Sequence, residues 1–263
     1  MSFIEVNGVG LRYALSGNGE RTIVLIHEMG GALESWDEVA PRLAARGRVL
    51  RYDTRGAGLS QKVRGPLSID TMVDDLDALL DALEIKGKVA VAGIAVGGAI
   101  ALHAAVRLQS RVSAAIVTSP AIGIAPERRP GVLARVDAIE RGGMQSAVAD
   151  SMTAGYPAEL RRDPARFAAF RARWLGNDPA SYAAIYRMLA AMDLSTELAA
   201  ITCPVLVVGG SLDRVRPPEL AEPVAKLIPG ARYQVVESGH YMAVQTPELL
   251  AATIAAFLDV VGA

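Results

Sequence analysis

The chain is poor in residues that form disulfides or bind transition metals. Cys203 is its only cysteine, and it has three histidines among 263 residues. A single cysteine cannot form an intramolecular disulfide, which favours a reducing compartment such as the cytoplasm. The cysteine and the histidines lie at unrelated spacings that do not resemble a zinc site. No G-x-G-x-x-G sequence follows the first predicted strand, so we expect neither a metal nor a nucleotide cofactor.

Long hydrophobic runs and an excess of one charge are also absent. The formal net charge is −1, so we expect no basic surface that would attract nucleic acid or an anionic membrane. No apolar run reaches the length of about eighteen residues that a membrane span needs, and the N-terminus is too mixed for a signal peptide. We expect a cytoplasmic protein that binds a small-molecule substrate, and the sequence leaves open whether it forms a homo-oligomer.

Short β-branched runs alternate with helical patterns, which predicts a mostly parallel central sheet flanked by helices. An apolar stripe from Met72 to Leu83 predicts a helix packed on this sheet, and further helices are expected over residues 96–108 and 247–261. The predicted strands are residues 22–27, 48–53, 88–93, 112–119, 204–209 and 232–236.

The pattern changes after Pro120. Residues 123–198 carry no strand signal, only helical stretches separated by Pro, Gly and Asn-Asp breaks. We predict that residues 1–122 and 199–263 form one α/β core and that residues 123–198 form a helical lid. Between residues 127 and 192 there are ten arginines and seven carboxylates. These arginines could hold the carboxylate of a small acidic substrate, or they could simply cover solvated helix faces.

The most informative segment is a strand that runs into a glycine-lined bend and then a helix, over residues 89–98. The apex of such a bend has a strained backbone, and its neighbours must be nearly free of side chains. Gly93, Gly97 and Gly98 meet that demand. The pattern is typical of a G-x-S-x-G nucleophile elbow, but its central residue is Ala95. An ordinary strand-to-helix turn is the alternative interpretation.

An acid and a base follow later in the chain. Asp213 comes after a Val-rich strand, where a carboxylate could fix the tautomer of an imidazole and stabilise imidazolium. Its alternative role is that of a turn former or helix cap. His240 lies between the last strand and the last helix, where open α/β sheets place ligands, and this position favours a catalytic base over a structural histidine.

The loop after the first predicted strand could stabilise negative charge. The backbone N–H groups of Met29 and Val96 could form the two-donor pocket that binds an oxyanion. Glu28 is unexpected there, because its carboxylate would oppose developing negative charge unless it points away or is protonated. We therefore expect Glu28 to face solvent or to pair with an arginine, with a role in substrate binding or acid–base chemistry left open.

Together these motifs resemble the α/β-hydrolase superfamily over nearly the whole chain, and the run Arg51–Gly56 is similar to the 3-oxoadipate enol-lactonase branch and related esterases. The resemblance implies an α/β-hydrolase fold and action on a small ester, lactone or related carbonyl substrate. The residues that carry it are His27, Gly30 and Gly31, the run Tyr52–Ser60, the bend at 93–98, Asp213, and Gly239 with His240.

By this resemblance residue 95 is the nucleophile position, Asp213 the acid and His240 the base, with Met29 and Val96 as oxyanion donors. The chain departs from the family pattern at three positions: Ala95 stands in place of serine, Glu28 in place of the common glycine, and Ala57 where histidine is frequent.

Three interpretations of Ala95 stay open. In the first, the alanine was introduced in place of the serine of a serine hydrolase, which leaves the acid and the base of a triad without their nucleophile. A native enzyme could instead use His240 and Asp213, assisted by Glu28, to activate water or abstract a proton. The third interpretation is a non-catalytic small-molecule-binding protein on the same fold.

Overall fold

A computed structural model describes residues 1–263 and contains one eight-stranded sheet. The strands lie in the order β1-β2-β4-β3-β5-β6-β7-β8; β1 and β2 are antiparallel to their neighbours, and the strands from β3 to β8 are parallel. The strands are β1 (Ser2–Val6), β2 (Val9–Ser16), β3 (Thr22–Ile26), β4 (Arg48–Tyr52), β5 (Val89–Ile94), β6 (Val112–Thr118), β7 (Val205–Gly210) and β8 (Arg232–Val236).

Ten α-helices cover the sheet and its carboxyl-end edge. They are α1 (Ala40–Leu43), α2 (Ile69–Ala82), α3 (Val96–Arg107), α4 (Arg129–Gly142), α5 (Val148–Gly155), α6 (Pro164–Leu175), α7 (Pro179–Ala191), α8 (Pro218–Lys226), α9 (Met242–Gln245) and α10 (Pro247–Val261). None of them combines the length and apolar character needed to span a membrane.

The central strands are buried on both faces, which explains their continuous apolar sequences. All residues of β3, β5 and β7 are buried. Alternate residues of β3 point to opposite sides, so that Val24 belongs to the apolar layer that includes residues of α2, α3 and α8, while Leu25 belongs to the layer that includes residues of α1 and α10. The two apolar layers hold the sheet between helices and fix its carboxyl-end edge, where β3 and β5 end side by side.

The predicted α/β fold is confirmed, and each of the six predicted strands lies within one residue of an observed strand at both ends. The prediction missed β1 and β2. These strands form a hairpin whose turn residues, Asn7 and Gly8, both have positive φ angles, the conformation that Asn-Gly favours in two-residue hairpin turns.

Residues 123–198, called here the helical segment, lie between β6 and β7 and include α4 to α7. The segment has no strand apart from one isolated bridge between Gly123 and Asp193. Ten of its buried side chains, between Ile139 and Tyr182, form a cluster with Tyr241 and Val244, which belong to the chain after β8. Others, such as Met188 and Met192, belong to the main apolar cluster of the sheet. The division into core and lid at residues 123 and 198 stays a prediction.

Candidate active site

The bend after β5 has the strained backbone expected of an elbow. Ala95 has φ 51° and ψ −109°, a conformation that a residue with a Cβ atom rarely adopts. Its N–H donates to the carbonyl of Thr118 at 3.0 Å, and its own carbonyl accepts from Ala121 and Ala99 at 3.0 and 3.1 Å. These bonds to β6, to the chain beyond it and to α3 hold residue 95 at the carboxyl edge of the sheet.

The glycines of the bend allow backbone segments to meet at distances that exclude a side chain. A Cβ atom on Gly93 would lie 2.1 Å from the carbonyl oxygen of Gly97. One on Gly97 would lie 2.3 Å from the carbonyl oxygen of Ile26, at the end of β3. Glycine at these two positions therefore brings the start of α3 against the loop that follows β3.

Asp213 and His240 meet although they are 27 residues apart in sequence. Asp213 Oδ2 lies 2.8 Å from Nδ1 of His240. The other carboxylate oxygen, Oδ1, accepts from the backbone N–H groups of Val215 and Arg216 at 2.8 and 2.9 Å. With Asp213 ionised, the imidazole donates from Nδ1, which leaves its Nε2 as the basic atom.

The environment of Asp213 favours its charged form. Burial alone would raise the pKa of this carboxyl group. The charge of His240, the hydrogen bond between them and the N–H of Arg216 outweigh burial and hold the pKa below its usual value. Asp213 can therefore hold a negative charge beside His240 at neutral pH.

Two backbone donors without a partner belong to residues that line one cavity. The N–H groups of Met29 and Val96 make no hydrogen bond within the protein. Val96 is the first residue of α3, where N–H groups have no partner inside the helix. Both residues line the cavity that Ala95 and His240 also line, so the two N–H groups could donate to a bound oxygen there.

His27 fixes the loop that carries Met29. Its Nε2 accepts from the backbone N–H of Thr54 at 3.1 Å, so its proton is on Nδ1 and is donated to the carbonyl oxygen of Glu28 at 2.7 Å. His27 is thus a positioning residue for this loop. The third histidine, His103, is buried in α3 and contacts Asp70 and Glu197.

The expectation for Glu28 is wrong: it neither faces solvent nor pairs with an arginine. The residue is buried, and its Oε1 accepts from the hydroxyl of Ser35 at 2.8 Å, while its Oε2 is inaccessible and has no partner. The turn from Glu28 to Gly31 directs the side chain inward, and a Cβ on Gly31 would lie 2.3 Å from Oε1. Burial raises the pKa of Tyr241, and the charge of Glu28 raises it further.

The cavity beside Ala95 has a volume of about 400 Å³, and eleven of its sixteen lining residues are hydrophobic. Its polar and charged side chains include Glu127 and Arg128 from the helical segment and Arg216 and His240 from the core. A mostly apolar cavity with a few polar groups is typical of a site for a small organic molecule.

No sequence pattern singles out Arg128 or Arg216 as a residue of the site. Arg216 follows Asp213 by three residues, and this proximity was the only available signal. The aromatic and methionine residues of the helical segment mostly pack elsewhere. Of Met144, Met152, Tyr156, Trp174, Tyr182, Tyr186, Met188 and Met192, only Tyr186 lines the cavity.

Comparison with known proteins agrees with this fold. The chain is similar to 3-oxoadipate enol-lactonase 1 of Acinetobacter baylyi, with 28% identity over 94% of this chain and 93% of the relative. Among solved structures, an enol-lactonase from Burkholderia xenovorans superposes with a TM-score of 0.91 at 28% identity, over 98% of this chain and 100% of the other.

An esterase from Thermogutta terrifontis, solved with malate bound, superposes with a TM-score of 0.92 at 26% identity, over 99% of both chains. The profile of the family described as serine aminopeptidase, S33, matches residues 17–240. The chain therefore belongs to this family of α/β-hydrolases.

Proposed function

We propose that the cavity beside Ala95 is the active site of an esterase- or lactonase-type hydrolase that acts on a small carbonyl substrate. In this proposal His240 is the base, Asp213 orients it, and the N–H groups of Met29 and Val96 bind the carbonyl oxygen. The observation that carries the proposal is the 2.8 Å hydrogen bond from His240 to Asp213 beside a cavity that His240 and Ala95 both line.

A serine at residue 95 would complete a covalent mechanism. His240 Nε2 would take the hydroxyl proton while the oxygen adds to the ester carbon, and the two N–H groups would stabilise the oxyanion. Collapse would break the ester C–O bond, with His240 returning the proton to the leaving alcohol. Water would then release the acid by the same sequence of steps.

Ala95 cannot form that acyl bond, so this chain has only a direct route. His240 can take a proton from water while the resulting hydroxide adds to the carbonyl carbon, and it can then protonate the departing alkoxide. Loss of a serine nucleophile lowers turnover by about a million-fold in a comparable triad. We therefore expect this chain to bind its substrate and to hydrolyse it slowly.

The substitution Ala95→Ser tests the proposal. We expect it to raise the hydrolysis rate of p-nitrophenyl acetate or a simple lactone on the order of 10³-fold or more, because the base, the acid and the oxyanion donors are already in place. The control is Ala121→Ser, which adds a hydroxyl to another alanine of the same cavity. If Ala95→Ser is no more active than Ala121→Ser, the proposal is wrong.

A second candidate is a native enzyme that needs no serine. The observation in its favour is Glu28, a buried carboxylate with one unpartnered oxygen next to the loop of Met29. In this case the unaltered chain turns over a substrate, and both His240→Ala and Glu28→Gln abolish that activity. A binding protein on this fold would instead keep its ligand affinity in His240→Ala and show no turnover in any variant.

A further inference from the structure

The turn between α6 and α7 is bonded to the loop that carries Met29. Asn177 lies in this turn, and its side-chain Nδ2 donates to the carbonyl oxygen of Gly30 at 2.9 Å. The two residues are 147 positions apart in the sequence. This hydrogen bond therefore joins the helical segment to the loop that follows β3.

The surroundings of Asn177 determine which end of its amide group faces Gly30. Nδ2 also lies 3.2 Å from the carbonyl oxygen of Arg173 and 3.0 Å from that of Trp174. Both carbonyls belong to the last turn of α6. Three carbonyl oxygens around one atom require the NH₂ end of the amide, because an amide oxygen there would have no donor. Asn177 is therefore a donor to both α6 and Gly30.

The carbonyl of Gly30 belongs to the first of two linked peptide groups. This peptide group accepts from Asn177 at its carbonyl, and its N–H, which is that of Gly31, donates to the carbonyl oxygen of Glu28 at 3.0 Å. The carbonyl of Glu28 belongs to the second peptide group, whose N–H is that of Met29. A series of hydrogen bonds thus runs from Asn177 to the peptide group that contains the Met29 donor.

The direction of the Met29 N–H follows from the bonds to the Glu28 carbonyl. A trans peptide group is planar, so its carbonyl and its N–H point in opposite directions. The Glu28 carbonyl is held by two donors, Nδ1 of His27 at 2.7 Å and the N–H of Gly31 at 3.0 Å. These donors fix the plane of the peptide group and with it the Met29 N–H. Hydrogen bonds in series also polarise one another, which strengthens the last donor.

Packing against α6 restricts the same loop. Gly30 has φ 82°, and a Cβ atom there would lie 2.6 Å from the ring of Trp174. That ring is fully buried. The ring limits how closely the loop approaches α6, and the hydrogen bond from Asn177 limits how far the loop moves away.

We propose that Asn177 is a positioning residue for the oxyanion donors. Its amide holds the peptide group of Gly30 and Gly31, which in turn holds the N–H of Met29 in place. This inference rests on the proposed function for the role of the Met29 N–H. The helical segment then supports the donor pair in addition to lining the cavity.

Kinetics in the Ala95→Ser background test the positioning role. Removing an oxyanion donor lowers kcat about 10²–10³-fold, and a donor that is only displaced should lower it less. We expect Asn177→Ala to lower kcat for p-nitrophenyl acetate about 10-fold and to leave KM within about twofold, because the donor acts in the transition state. Asn177→Asp keeps the size of the side chain without its donor and should lower kcat at least as much.

The matched control is Asp178→Ala in the same background. Asp178 is the next residue, caps α7, and makes its side-chain hydrogen bonds with Arg64 and Ser181. We expect this variant to lower the thermal midpoint, because a helix cap is lost, and to leave kcat within about twofold. The positioning role is contradicted if Asn177→Ala leaves kcat unchanged, if it raises KM instead, or if Asp178→Ala lowers kcat equally.

Amide hydrogen exchange in the unaltered chain tests the same hydrogen bonds without turnover. We expect Asn177→Ala to speed exchange of the Gly31 amide hydrogen about 10-fold or more relative to Asp178→Ala, because Gly31 shares a peptide group with the carbonyl that Asn177 binds. Equal exchange rates in the two variants would contradict the positioning role.

The two proposals fail separately. If Ala95→Ser is active but Asn177→Ala changes neither kcat nor the exchange rate of Gly31, only the positioning role is wrong. If the exchange rate depends on Asn177 but Ala95→Ser stays inactive, Asn177 still holds the loop and only the proposed function is wrong.

Discussion

At the scale of single residues, Asp213 is the most constrained group of the site. It is buried, and its two oxygens accept three hydrogen bonds, one from His240 and two from the backbone. The unfolded chain offers none of these partners, and there the carboxyl group has a pKa of about 3.9. Because the pKa of Asp213 is lower in the folded chain than in the unfolded chain, the ionised carboxylate stabilises the fold at any pH above about 3.9. That contribution is lost as the pH falls through the folded value.

The substitution Asp213→Asn removes the negative charge that stabilises the fold. We expect the variant to lower the free energy of unfolding by about 1–3 kcal/mol at pH 7, because the charge-assisted hydrogen bonds are lost. The difference from the unaltered chain should shrink as the pH falls below about 4. Urea denaturation between neutral pH and pH 2 measures both quantities.

The exposed Asp150 provides a control, since Asp150→Asn should change stability by no more than about 0.5 kcal/mol at pH 7. A difference for Asp213→Asn that stays constant over the whole pH range would contradict the argument.

The sequence could indicate where Asp213 and His240 lie, because each follows a recognisable strand and parallel strands end at the same edge of the sheet. It could not indicate the orientation of Glu28. That orientation depends on the turn to Gly31 and on the hydroxyl of Ser35, and no local pattern shows that these groups lie against the carboxylate.

At the scale of elements, the start of α3 lies in close contact with the end of β3. Gly97 lies against the carbonyls of Ile26 and His27, both of which belong to the backbone and cannot rotate away. The same contact places the N–H of Val96 near the loop of Met29. The spacing of these two elements therefore determines the geometry of the donor pair.

The substitution Gly97→Ala should push the start of α3 away from the end of β3. We expect a loss of about 2–4 kcal/mol of unfolding free energy, because the added methyl group overpacks two fixed carbonyls. In the Ala95→Ser background it should also reduce ester hydrolysis about 10-fold or more, because the oxyanion donors move apart. Thermal denaturation and steady-state kinetics measure the two effects.

Gly131→Ala is the matched control, since Gly131 is exposed in α4 and a Cβ there would meet no atom within 4 Å. It should stabilise the chain by about 0.5–1 kcal/mol, because alanine favours a helix over glycine. Equal effects of the two substitutions would disprove the close-contact argument.

The burial and composition of each strand explain which strands the sequence could predict. Strands β3, β5, β6 and β7 have almost every residue buried and read as mostly apolar runs. Strands β4 and β8 mix polar and apolar residues, and their valine and tyrosine residues allowed their prediction. In contrast, β1 lies at the sheet edge with only one fully buried residue, and Phe3 is exposed. Its five residues mix polar and apolar side chains, and its pairing with β2 depends on the Asn7-Gly8 turn.

At the scale of the whole molecule, the helical segment and the core are packed into each other. A Cβ on Gly30 would lie 2.6 Å from the ring of Trp174, so α6 presses on the loop next to Met29. In the other direction, Gly155 makes room for the ring of Tyr241, the residue after His240. We therefore expect both parts to unfold together.

Trp174→Ala should lower the free energy of unfolding of the whole chain by about 3–5 kcal/mol, because it removes a fully buried ring. Calorimetry should still show one transition. The control is Leu133→Ala, at a residue of α4 that is 38% exposed, which should cost less than about 1 kcal/mol. Two transitions, with only one shifted by Trp174→Ala, would mean that the helical segment unfolds independently.

The methyl group of Ala95, at the apex of the bend after β5, also affects how a bound ligand is released. A bound molecule cannot form a covalent bond to the side chain of residue 95. A ligand that is not hydrolysed therefore leaves the cavity chemically unchanged. Val132 and Tyr186 of the helical segment line the cavity. We therefore expect a ligand that fits these walls to leave slowly and to be recovered from the purified protein unchanged.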